Sequence, residues 1–145
     1  MDLDQSKQAT LDSALEAYTE ELRADGEDES AVTLAYTHSL HRMWRTALRM
    51  LPVAAGSSIL DVGSGLGILA FELAANLGLE IQGVDIDTRF VKHSIELCDR
   101  LTRAQIFAPG ARIEFSEGDV RDLRFSPDRF DLAFIRELLQ FLTDP

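Results

Sequence analysis

The stretch Asp61-Val-Gly-Ser-Gly-Leu-Gly67 constrains this chain most, because it sets three glycines at alternate positions where a short apolar run meets a longer one. Glycines at such a junction let the backbone turn tightly and come within contact distance of a ligand, where a Cβ would collide. Ahead of them, Ser58-Ile-Leu-Asp-Val62 reads as a buried strand. Beyond them, Ile68 to Leu77 reads as a helix with Gly78 as its C-cap. The first N–H groups of that helix face whatever occupies the turn, and they suit an anion or a carboxylate.

The alternation continues downstream. Leu79 to Val84 is a second strand, and Thr88 to Ile106 is a helix N-capped by Asp87, with Phe90, Val91, Ile95, Cys98 and Leu101 inward. After a Pro109-Gly110 turn, Ala111 to Ser116 is a third strand, and Phe130 to Ile135 is a fourth. Strands alternating with helices predict an α/β fold, a parallel sheet of βαβ units with right-handed crossovers, over residues 55–145. Residues 1–54 predict a helical cap. In the first helix Leu11, Leu15, Tyr18 and Leu22 recur at helical spacing until Gly26. Ser30 N-caps a second helix, in which Tyr36, Leu40, Trp44, Ala47 and Leu51 form a stripe that Pro52 stops. Arg42, Arg45 and Arg49 share another face, to pair with the acidic first helix or to meet an anionic ligand.

Composition narrows the partners. With 25 acidic and 14 basic residues the net charge is -11, and ten of the acids lie in residues 1–30 against Lys7 and Arg23 alone. Such a field repels nucleic-acid phosphates and anionic lipid headgroups, so neither a nucleic acid nor a membrane surface is an expected partner. No run approaches the roughly 18 apolar residues of a membrane span. Cys98 is the single cysteine of the 145-residue chain, so no internal disulfide forms and a reducing cytoplasm is the expected compartment. His38, His41 and His93 lack companions at ligand spacing, and no metal site is expected.

Asp85 closes the second strand, where a carboxylate can accept both hydroxyls of a ribose. Two nucleoside cofactors then compete. Read as Gly65-x-Gly67-x-x-Ala70 with Asp85 downstream, the stretch satisfies the dinucleotide fingerprint, which would make this an NAD(P)-binding oxidoreductase domain. That fingerprint runs an apolar strand straight into its first glycine, whereas here Asp61, Gly63 and Ser64 intervene, and an acid is an odd neighbour for a pyrophosphate. Asp61 makes better sense beside a ligand ammonium or another cation.

Ile59-Leu-Asp-Val-Gly-Ser-Gly-Leu-Gly67 resembles the first motif of class I S-adenosylmethionine-dependent methyltransferases. Gly83-Val-Asp-Ile-Asp87 resembles that family's ribose-binding turn, Glu117-Gly-Asp-Val120 its adenine turn, and Phe130 to Pro145 its fourth strand and following loop. The resemblance implies a Rossmann-like fold and S-adenosyl-L-methionine as cofactor. It places Asp61, Gly63, Ser64, Gly65 and Gly67 at the methionine portion, Asp85 at the ribose, Ile86 on the adenine face, and Asp119 with Val120 at the adenine edge. Arg136 resembles an arginine found just past the fourth strand in some small-molecule methyltransferases, with Glu137 or Asp131 as its alternative partners. Asp122 reads as a turn former.

Methyl transfer from a sulfonium needs alignment more than a dedicated catalytic group, and no general base is identifiable. A small-molecule acceptor is expected; a ligand-binding or interaction module without catalysis is the remaining alternative. Members of the family continue through a fifth strand and antiparallel sixth and seventh strands, in sheet order 3-2-1-4-5-7-6. The expectation is therefore a core lacking its C-terminal strands, with Phe130, Leu132, Phe134, Leu138, Leu139 and Phe141 uncovered. A second copy or another chain would then complete the sheet.

Overall fold

The computed structural model describes residues 5–26 and 53–135, and the structural statements below concern those residues. Helices α1 (Gln5–Ala24), α2 (Ile68–Asn76) and α3 (Thr88–Arg103) accompany strands β1 (Ser58–Val62), β2 (Glu80–Asp85), β3 (Arg112–Glu117) and β4 (Leu132–Ile135). The strands form one sheet in the order β3-β2-β1-β4 with every pair parallel. β1, a central strand, is largely apolar and buried because both its faces are covered. Ile59 packs with Leu69, Ala70 and Leu73 of α2 on one face. On the other, Leu60, Val62 and Val84 lie against Val120, Leu123 and Phe130 of the β3–β4 connection.

α2 is apolar except for Glu72 and Asn76 and is buried from Ile68 to Ala75, the pattern of a helix enclosed on nearly every side. Its Leu69, Ala70, Leu73 and Ala74 meet the sheet, while Ile68, Phe71 and Ala75 meet α1. It ends one residue before the expected boundary, with extended Leu77 rather than Gly78 as the C-cap. α1 buries Leu11, Leu15, Tyr18 and Leu22, the stripe read from its spacing. Each such side chain contributes about 1.5–3 kcal/mol of transfer free energy, so the docking is strong.

α3 follows the expectation in part: Leu101 is buried and Phe90 and Cys98 pack against the same cluster, but the buried face is centred elsewhere. His93, Ser94, Leu97 and Leu101 are buried, and Ile95 faces solvent. Tyr18 of α1 meets this face, its Oη 2.9 Å from His93 Nδ1, while the Ser94 hydroxyl is satisfied within α3, donating to the Val91 carbonyl at 2.8 Å. Inward polar groups with partners cost little, so apolar character did not mark this face. Burial, assisted by the Glu96 carboxylate, pushes the Tyr18 phenol well above its ordinary pKa. Arg100 lies 5.0 Å over the Tyr18 ring and donates to Glu21 at 2.7 Å and Glu96 at 2.8 Å. Such exposed pairs contribute about 0.2–1 kcal/mol each and set register more than stability.

Asp87 caps α3 as expected, accepting from the Arg89 N–H at 2.9 Å. Asp87→Ala should lower stability by about 1 kcal/mol in a denaturant titration. Cofactor affinity should hold, because only the Asp87 backbone N–H reaches the site described below.

Within the described residues β4 pairs with β1 alone. Phe134 was expected to be uncovered. It is instead 5% exposed and packs in the cluster of Ile59, Leu69 and Leu73, with Leu132 partly buried against it; Ile135 stays 48% exposed. Strand alternation sends Phe134 inward beneath α2, so among the described residues it is the edge, rather than this face, that has no partner. The expected second helix over residues 30–51, with Arg42, Arg45 and Arg49, lies outside the described residues, as do Arg136, Leu138, Leu139 and Phe141. No helix among the described residues is long and apolar enough to cross a membrane.

Candidate functional site

The C-terminal ends of β1, β2 and β3 lie side by side, which is where parallel α/β sheets bind ligands. The glycine turn leaves β1 with positive φ at Gly63 (71°), Gly65 (53°) and Gly67 (79°), a backbone path that side chains resist. It is docked on β2 by its own amides. The Gly63 and Ser64 N–H groups donate to the Val84 carbonyl at 2.8 and 3.1 Å. The Gly65 N–H donates to Asp85 Oδ2 at 2.8 Å, and the Gly67 N–H to the Ser64 carbonyl at 2.9 Å. Leu66, between them, is buried in the cluster that α1 covers.

Four of the loop's five amides are therefore spent inside the protein. A pyrophosphate cradled by loop amides would find few of them open, which argues against the dinucleotide reading. The first i→i−4 bond of α2 runs from the Phe71 N–H to the Gly67 carbonyl, and Gly67 supplies no side-chain cap. The amides of residues 68–70 thus remain as the donors of this helix start, as at any helix N-terminus.

Asp85 is the hub. Its Oδ2 accepts from Gly65 and its Oδ1 from the Asp87 N–H at 2.9 Å, so the carboxylate is fixed in orientation by two backbone donors. A carboxylate has about four acceptor positions, which leaves each oxygen a second one. The neighbouring Ile86 is 61% exposed, an apolar side chain standing at the rim of this edge. A Cβ added at Gly65 would meet nothing within 4 Å, so the space above the turn is open.

Asp61 occupies the end of β1 and is 1% exposed, paired in register with Gly83 of β2 and Phe134 of β4. Alternation puts it on the face of Ile59. Ser64 is buried, and its Oγ has no hydrogen-bond partner among the described residues. Its Cβ lies 3.1 Å from where a Gly83 Cβ would stand, so the side chain sits beneath the turn while the backbone forms it.

Asp119 and Val120 follow β3 on the same edge, and the Gly118 N–H donates to the Asp85 carbonyl at 3.0 Å. Asp119 caps the short 3-10 turn Val120–Asp122 by accepting from the Arg121 N–H at 2.9 Å, and the Arg121 guanidinium folds back onto the same carboxylate. Those hydrogen bonds lower the Asp119 pKa to about 2. Because the folded value lies below the unfolded one, the stabilisation is complete above roughly pH 4 and is lost as pH falls toward 2. Arg121→Ala should return the Asp119 midpoint toward the ordinary aspartate range, read from its carboxyl resonance in an NMR titration.

Nine of the ten residues singled out from the sequence thus lie in β1, β2, the glycine turn or the segments just beyond β2 and β3; Arg136 falls outside the described residues. Phe115 and Leu66 were missed. Phe115 reads as an ordinary core position, and only the register of β2 with β3 brings it to the turn; Leu66 lies in the turn by sequence, and only the docking of α1 shows that its side chain anchors there.

A parallel sheet in the order 3-2-1-4, a glycine turn after β1 and a seated acid closing β2 define a nucleoside-cofactor-binding α/β domain of the class I methyltransferase type. Residues 59–145 match the family model described as a methyltransferase domain, and the chain belongs to that family. The 2-phytyl-1,4-naphtoquinone methyltransferase of Trichormus variabilis is 31% identical over 107 residues, covering 72% of this chain and 44% of that protein. The ubiquinone biosynthesis O-methyltransferase of Thiobacillus denitrificans is 29% identical over 92 residues, covering 63% of this chain and 36% of the relative. The chain therefore spans less than half the length of these curated relatives.

Among solved structures, a protein of Methanococcus maripaludis superposes with a TM-score of 0.57 at 22% identity, over 69% of this chain and 42% of that one. The [4+2]-cyclase SpnF superposes at 0.53 with 24% identity, covering 63% of this chain and 32% of its own. A cyclase on this fold means that the fold alone does not name the reaction.

Proposed function

We propose that this chain holds S-adenosyl-L-methionine along the C-terminal ends of β1, β2 and β3 and serves transfer of its methyl group to a small-molecule acceptor. The observation that carries the reading is Asp85: two backbone amides fix its carboxylate and leave one acceptor position on each oxygen, the pair a ribose diol requires. Ile86 supplies an exposed apolar surface for the adenine face, and Asp119 and Val120 supply a carboxylate and a backbone N–H for its edge. Asp61 and the turn of Gly63, Ser64, Gly65 and Gly67 lie nearest the methionine portion, with Asp61 suited to the ammonium. Arg136 remains a candidate for the carboxylate end on sequence grounds.

When bound, the cofactor supplies a sulfonium methyl group and its own leaving group. What this chain supplies is orientation. A turn pinned by four amide hydrogen bonds cannot drift, and alignment of this kind accounts for up to roughly 7–11 kcal/mol of barrier in well-oriented systems. The acceptor is proposed to be a small molecule because the relatives' names specify a naphthoquinone, a ubiquinone precursor pathway and phosphoethanolamine, and because the net charge of -11 disfavours nucleic acid. A reducing cytoplasm is the proposed compartment, from the single half-buried Cys98.

Isothermal titration tests the cofactor reading. S-adenosylhomocysteine should bind saturably with one site per chain, and NAD should give no saturable heat. Saturable NAD binding without S-adenosylhomocysteine binding would return the domain to the oxidoreductase class.

A further inference from the structure

One row of the sheet crosses all four strands: Phe134 of β4 pairs with Asp61 of β1, Asp61 with Gly83 of β2, and Gly83 with Phe115 of β3. Residues in register on a parallel sheet share a face, so a side chain at position 83 would stand beside Phe115. Glycine leaves that place empty, and the Phe115 ring fills it. A Cβ built on Gly83 would lie 2.3 Å from the Phe115 ring, and one built on Gly67 would lie 2.5 Å from the same ring. Ser64 flanks the position from above, its Cβ 3.1 Å from the Gly83 Cβ site. The ring meets Phe71 of α2 edge-on at 5.6 Å, and Phe71 stacks on Phe107 at 5.9 Å, so it is braced from the far side as well.

We propose that Phe115 is a positioning residue for the cofactor turn: its ring, lodged over Gly83 and under Gly67, sets the height of residues 63–67 above the sheet. Gly67 and Gly83 then exist to admit this ring, whereas Gly65 opens onto free space among the described residues. The proposal rests on the cofactor reading for its consequence in binding, but its steric core stands apart from any ligand. Interiors are packed to crystalline density, and a gap of one ring beneath the turn would let the turn sink or fluctuate.

Phe115→Leu is the main variant, since it keeps an apolar side chain at a strand position and retains the fold. Amide exchange of Gly63, Ser64 and Gly65 should become about tenfold faster, while exchange in the β1–β4 ladder changes little. Affinity for S-adenosylhomocysteine should fall by about tenfold, a misplacement effect transmitted through the turn. A size-swap cycle supplies the control. Gly83→Ala alone should lower the thermal midpoint by roughly 5–10 °C, because a Cβ meets the ring. In the Phe115→Leu background the same substitution should cost clearly less.

Equal cost of Gly83→Ala in both backgrounds would overturn the steric argument, as would unchanged exchange of the turn amides in Phe115→Leu. If wild-type protein bound no S-adenosylhomocysteine, the cofactor reading would fail. The exchange and size-swap results would still decide whether Phe115 positions the turn.

Discussion

Asp85→Ala weakens S-adenosylhomocysteine binding by about tenfold to a hundredfold, the expected consequence of losing hydrogen bonds of roughly 1.5–3 kcal/mol to a charged acceptor. The structure adds a second effect. The Gly65 and Asp87 N–H groups both lose their acceptor, so the turn itself loosens and the protein loses stability, by about 1–3 kcal/mol for each donor left without water. Asp85→Asn separates the two: its amide oxygen keeps one acceptor, whereas its NH2 group points a donor at the other backbone N–H. Affinity for the ribose should suffer in both variants, and the urea midpoint more in Ala. Calorimetric titration beside urea denaturation reads the pair, and wild-type affinity in a folded Asp85→Ala protein would remove Asp85 from the site.

Gly65→Val abolishes measurable cofactor binding while leaving most of the fold. At φ 53° an L-residue adds roughly 1–2 kcal/mol of strain, and a β-branched one is disfavoured further. Among the described residues no atom beyond its chain neighbours lies within 4 Å of the added Cβ, so the strain is local and the expected clash is with the ligand. Helix content by circular dichroism should therefore persist while titration shows no heat. Gly67→Val differs in kind, since its Cβ would strike Phe115 and Phe71, and loss of stability should dominate there. Two glycines two residues apart thus predict opposite failures, binding at one and folding at the other. Normal binding by folded Gly65→Val would show that the turn faces elsewhere.

The element order was legible because its signals are local. A buried parallel strand needs a short apolar run, and Ser58–Val62 supplies one. An N-cap needs a side-chain acceptor before the first turn, and Asp87 supplies it. Motif order likewise pointed to Asp85, since a strand end followed by a capped helix is written in consecutive residues. The phase of α3 was legible only in part: Phe90, Cys98 and Leu101 turn inward as expected, whereas Ile95 does not and His93 and Ser94 do. His93 is met by Tyr18 from a helix some 70 residues earlier in the chain, and Ser94 is satisfied by the Val91 carbonyl of its own helix, so both are tolerated inside. The fate of Phe134 escaped the sequence for the same reason: what covers it comes from α2 and β1.

The sequence by itself determined the alternation of strands and helices, the left-handed turn that three glycines permit, and the acid that closes β2. Each depends on backbone propensities and spacing within a few residues. Only the tertiary structure decided which glycine serves the ligand and which serves packing. That distinction depends on the lateral register that sets Phe115 beside Gly83 and on the docking of the turn onto Val84 and Asp85. Register between strands separated by a helix is chosen by long-range packing, which no local pattern encodes. The same residue type, two positions apart, therefore opens onto solvent at 65 and onto an aromatic ring at 67.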